Sequence, residues 1–205
     1  MPFNVERDYF FALRDYLDAD VAAQYLSAVN GVIGAYNTTV RENRFTVGGA
    51  VEVFTVALMR SVGIDAYHYA AQESSGDILL PGNVTLSVKG IHTTTYSKIG
   101  LINKQGEGAR VWTTATIFVR SGVGLVYGDP DMFPEEAISD KGDQLGLLGR
   151  FLRRHIENNP KLIIPMQIDY KPPTQLAGKS KLQSVVVAHQ IMDDLGLDLL
   201  KQHSG

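Results

Sequence analysis

The chain contains no cysteine among its 205 residues. That excludes disulfide scaffolds, thiolate zinc sites and thiol catalysis, and it fits a reducing cytoplasm, the expected compartment. No apolar run approaches the roughly 18 residues of a membrane-spanning helix, so no membrane partner is expected. Near the start, Phe10 and Phe11 stand among Glu6, Arg7, Asp8 and Arg14, which is not the pattern of a secretory signal. A basic excess is missing too: 19 Lys and Arg against 22 Asp and Glu give a net charge of −3. This argues against indiscriminate nucleic-acid binding but leaves room for one basic face. Five histidines show no metal-ligand spacing. No internal repeat or low-complexity segment is visible.

What is present is an ordinary globular composition, 44% hydrophobic and 20% charged, in a length that suits a single domain 1–205. The spacing predicts a helical part over 1–62. Phe10, Leu13 and Leu17 share a face, which Ala22, Leu26, Val29 and Ile33 continue towards a break near Asn30-Gly31. A second helix is expected to start after Gly48-Gly49, carry Val51, Phe54, Leu58 and Val62, and stop at Gly63. Residues 63–128 read as a sheet, with strands at 64–70, 77–80, 84–91, 111–120 and 124–127. The part 129–205 is expected to be helical through Leu145, Leu148, Leu152 and Ile156, with a strand at 162–168 and a terminal helix over 181–201. The order predicts an α/β fold, a mixed central sheet flanked by helices.

Pro81-Gly82-Asn83 is a tight-turn signature. If it closes a hairpin, Leu80 faces Val84 and Asp77 falls opposite Ser87. Alternation then turns Ser87 and Lys89 to the face opposite Leu86 and Val88. A carboxylate, a hydroxyl and an ammonium would meet at one sheet end, and a one-residue slip would scatter them. The segment after Lys89 is rich in short donors and acceptors: Thr93, Thr94, Thr95, Ser97, Lys98, Asn103, Lys104 and Gln105. Such side chains suit phosphates and base edges.

This arrangement resembles the PD-(D/E)xK nuclease superfamily, and restriction endonucleases within it, over residues 48–128. The resemblance maps the motif's Asp onto Asp77, its acidic position onto Ser87 and its Lys onto Lys89. It implies a restriction endonuclease-like fold, Mg²⁺ as cofactor, double-stranded DNA as substrate, sequence-specific cleavage and a homodimer. Asp77 would hold the metal together with the Val88 carbonyl, and Lys89 would serve the attacking water. Thr93 to Gln105 would read or grip the DNA. Two departures stand out. Gly76 replaces the motif's Pro, and Ser87 supplies no charge where an acid is usual. A recruited acid is therefore expected: Glu52, which needs a partner if buried amid Val51, Val53 and Phe54, or else Glu73. Two rival readings remain: a sister nuclease of repair, recombination or phage DNA processing, and a non-catalytic nucleic-acid-binding domain that Ser87 keeps open.

Blander roles are expected elsewhere. His68 reads as structural, Trp112 as a core anchor, Asp129 and Asp131 as turn residues, and Arg150, Arg153 and Arg154 as a solvated helix face.

Overall fold

A computed structural model describes residues 3–36, 41–69, 76–103, 111–141, 144–171 and 184–204. The helical opening is three helices: α1 (Asn4–Tyr16), α2 (Ala19–Ala35) and α3 (Arg41–Ser61). The face that reads as continuous from Phe10 to Ile33 is cut at Asp18. Its carboxylate caps α2 by accepting from the Asp20 and Val21 amides at 2.8 and 3.3 Å. Asn30-Gly31 does not break α2. Nor does Gly48-Gly49 start a helix, because α3 runs through both. There Ser184 packs so closely that a Cβ on Gly49 would collide with it, so tertiary contact outweighs glycine's poor helix propensity.

Among the described residues nine strands follow: β1 (Tyr67–His68), β2 (Ile78–Leu80), β3 (Val84–Ile91), β4 (Lys98–Asn103), β5 (Thr116–Arg120), β6 (Gly124–Gly128), β7 (Ile138–Ser139), β8 (Gln144–Leu148) and β9 (Ile163–Pro165). Helix α4 (Gly149–Asn158) precedes β9, and α5 (Ser184–Asp194) and α6 (Asp198–Lys201) close the chain. The principal sheet has the order β1-β2-β3-β5-β6-β9 and is mixed, since β3 and β5 run parallel and the other neighbours antiparallel. The fold is thus α/β with a mixed sheet.

Three expectations need correction. The part 129–205 carries, besides its helices and the expected strand (β9), two strands that were not expected, β7 and β8. Leu145 and Leu148 lie in a strand, and their helical spacing with Leu152 straddles the junction of β8 with α4. The polar segment after Lys89 contains β4, which joins β8 and β7 in a second, three-stranded antiparallel sheet.

The layers follow from which side chains are apolar on each face. Ile78, Leu80, Leu86, Val88, Ile117, Val119, Leu125 and Tyr127 pack against α1, α2, α3 and α5. Ile91, Phe118 and Val126 pack the other way, against Leu101, Leu145 and Leu147 of the small sheet and Leu152 of α4. Strands β5 and β6 are buried at every position, as strands covered on both faces must be. Trp112 anchors the second core as expected, its Nε1 donating to the Thr114 carbonyl at 2.7 Å. At the end of β6 the fully buried Asp129 accepts from the Asp131 amide at 3.1 Å and pairs with Arg7 of α1 at 2.9 Å. No helix among the described residues is long and apolar enough to cross a membrane.

Candidate active site at the end of the β2–β3 hairpin

The hairpin register agrees with the sequence expectation: Leu80 faces Val84, Leu79 faces Thr85 and Ile78 faces Leu86. The turn is possible because Gly82 and Asn83 take φ of 79° and 59°, a left-handed pair that these residue types tolerate. One step beyond β2, the Asp77 amide donates to the Leu86 carbonyl at 2.8 Å, which ties the chain to β3 past the last paired residues. Gly76 also has a steric reason. A Cβ there would lie 2.9 Å from Thr85 Cβ and 3.0 Å from the Leu86 carbonyl, so the motif's proline would not fit.

Three donors converge on one oxygen. Asp77 Oδ2 accepts from Ser87 Oγ at 2.7 Å, from the Val88 amide at 2.7 Å and from Lys89 Nζ at 3.1 Å. Asp77 and Lys89 are both about a quarter exposed. Ser87 therefore spends its proton orienting Asp77 and adds no negative charge of its own.

Glu52 sits mid-helix in α3, not near a helix start. Its carboxylate has the partner that burial demands, His68 Nε2 on β1 at 3.0 Å. The sequence reading left His68 as merely structural. The strand alternation of Tyr67, His68 and Tyr69 gives no hint that the middle side chain reaches a helix acid.

Glu52 and Lys89 reach one cleft of about 510 Å³. It opens where β3 outruns β2: the paired residues end at Leu86, while β5 accompanies β3 to Ile91. The amino-terminal half of α3 forms one wall, through Arg44 and Glu52. The small sheet, through Lys98, and Tyr96 just before it form the other, and Val88, Lys89 and His92 line the floor beside Lys171. Asp77 contacts this space through Lys89.

His92 is 8% exposed. Ser121 Oγ donates to the Asp169 carbonyl, so its one proton is taken and His92 Nδ1–H must donate to Ser121 Oγ, at 3.1 Å. Nε2 then carries a bare lone pair, without a partner, over Gly90, where a Cβ would come within 2.7 Å of it. Burial, and then the Arg120 charge, push the imidazole down to about 4, so it is neutral at pH 7.

The residues expected to meet DNA are placed differently from one another. Thr93 lines the cleft and donates to the Thr95 carbonyl at 2.9 Å, while Thr94, Thr95 and Ser97 are exposed beside it. Lys98 opens β4, and its ammonium donates to the Lys141 and Gln144 carbonyls at 2.6 Å each, which ties it to the small sheet. Asn103 ends β4 opposite Gln144, so its backbone belongs to a ladder rather than a reading loop. Lys104 and Gln105 lie outside the described residues, as does Glu73.

Among the described residues no three His, Asp or Glu side chains gather as a ready-made cage. Mg²⁺ is usually held by one or two carboxylates with waters and substrate phosphate oxygens. Glu52 lines the cleft, and Asp77, whose three bonds all fall on Oδ2, borders it through Lys89; these two are the acids at hand for such a cation. Family models, curated proteins and solved structures all fail to match this chain, so the reading rests on its own residues.

Proposed function

We propose that the chain is a Mg²⁺-dependent endonuclease of the restriction-enzyme kind, cutting double-stranded DNA at a specific sequence as a cytoplasmic homodimer. The observation that carries this reading is the set of Asp77, Ser87 and Lys89 at the open end of a hairpin, bordering a cleft that also holds Glu52. Two-fold symmetry would match two identical centres to the two strands of a palindromic site.

Bound Mg²⁺, held by Asp77 and Glu52 with the Val88 carbonyl as a further oxygen, would polarise the phosphate and make the attacking water more acidic. The chain's own groups do the rest. Asp77 holds the Lys89 ammonium by the cleft, where it offsets negative charge developing on the phosphorane oxygens. Ser87 fixes the Asp77 carboxylate by donating to Oδ2, and His68 does the same for Glu52. Thr93 to Ser97 would meet the backbone on the side of the small sheet, with Lys98 behind them.

A second reading is a nucleic-acid-binding domain without catalysis. It is favoured by one observation: Asp77 is already neutralised by Lys89, and Ser87 adds no charge.

Supercoiled plasmid with Mg²⁺ or Mn²⁺ separates these readings. Discrete bands support the restriction enzyme, and a smear or nicking points to a sister nuclease of repair, recombination or phage DNA processing. Duplex binding without cleavage supports the second reading. Asp77→Ala and Lys89→Ala should each abolish cutting, and near wild-type rates in either would refute the site. Glu52→Gln should raise the metal concentration needed.

A further inference from the structure

At the end of β5 the protein buries a cation with no acid to match it. Arg120 is 8% exposed. Its guanidinium donates to the Ser121 carbonyl and, at 3.4 Å, to the Tyr96 hydroxyl. It also lies 4.9 Å from the Tyr96 ring centre and 5.7 Å from that of Tyr170. Among the described residues no carboxylate pairs with it. Arg153 of α4, exposed and also without an acid, lies 5.4 Å from the same Tyr96 ring and donates to the Tyr96 carbonyl at 3.4 Å. Two like charges thus share one aromatic ring.

Taking a guanidinium out of water is costly, and here the compensation comes from two aromatic rings, a hydroxyl and a carbonyl rather than from an opposite charge. The neighbouring imidazole of His92 feels the Arg120 charge, which adds to burial in keeping it neutral. An anion from outside would supply what the fold omits. Tyr96 also lines the cleft beside Lys98, so a strand seated in the cleft passes this point. A planar guanidinium fork matches phosphate oxygens bidentately.

We infer that Arg120 and Arg153, held together on Tyr96, form a phosphate-binding site that grips the DNA backbone away from the bond being cut. The identity of the anion rests on the nuclease reading, whereas the cationic site rests on the geometry above.

The test is binding of a labelled DNA duplex to the full chain in Ca²⁺, across a salt series, for wild type, Arg153→Gln and Arg120→Gln. Loss of one phosphate contact should lower the slope of log K against log salt by about 0.9 and weaken binding about tenfold. The cleavage rate in Mg²⁺ at saturating DNA should stay near wild type. Arg153→Lys, which keeps the charge but not the fork, should fall between. Arg120→Gln is checked by thermal melting, and if it does not fold, the exposed Arg153→Gln decides alone. Wild-type binding with unchanged slope and affinity in folded Arg153→Gln overturns this site and leaves the nuclease reading standing. No duplex binding by the wild type overturns both.

Discussion

Asp77 and Asp129 each have a cation as partner, and they differ in what surrounds them. Asp77 lies at the open end of a hairpin, 23% exposed, and all three of its partners come from β3. Asp129 is fully buried at the end of β6, and its partner Arg7 is 122 residues away in sequence. The first arrangement is local, so a ligand can take over the carboxylate without disturbing the fold. The second joins α1 to the sheet, and losing it leaves a guanidinium against a low-dielectric core. Exposure and the origin of the partners separate a site from a staple better than the presence of an ion pair does.

The comparison can be broken by substitution. Asp77→Asn should lower cleavage about a thousandfold while changing unfolding free energy by less than about 1 kcal/mol, because the pair is partly solvated. Asp129→Asn should do the reverse in kind. It should cost about 3 kcal/mol and lower the melting temperature by roughly 10 °C for a chain this long. Calorimetry on both variants decides, and equal melting temperatures would erase the distinction.

A smaller effect sharpens it through pH. His92 is held at about 4, chiefly by burial. His155 is also lowered, chiefly by burial, against the opposing pull of the Tyr127 carbonyl and Asp129. A histidine whose folded pKa lies below its unfolded value of about 6.5 binds fewer protons when folded. Stability therefore rises with pH between about 4 and 6.5 and is level above. His92 alone should remove about 2 kcal/mol between pH 6.5 and 5. Urea melts of wild type and His92→Gln at the two pH values test this, and parallel losses in both would acquit His92.

The sequence disclosed the site better than the architecture around it. Asp77, Ser87 and Lys89 were legible because Pro81-Gly82-Asn83 fixes the turn and period-2 alternation fixes the face. The small sheet was not, because its strands carry glycine where β-branched residues would advertise them. Gly100 and Gly146 face each other, and a Cβ on Gly146 would lie 2.6 Å from the Ile99 carbonyl. Close packing there forbids the very side chains that mark a strand. Glu52 was singled out because a buried acid needs a partner. That partner lies 16 residues ahead, beyond any local pattern. Arg120 carries no sequence mark at all, since its oddity is the absence of a nearby acid, which only three dimensions reveal.

The contact of Gly49 with Ser184 has a consequence for the order of assembly. Two adjacent glycines weaken a helix interior by about 1 kcal/mol each, and here the compensating contact comes from α5, some 135 residues later in the chain. During synthesis the early helices and the hairpin emerge well before α5 does. The stretch of α3 that carries Glu52 is then among the last to stiffen, once α5 has docked.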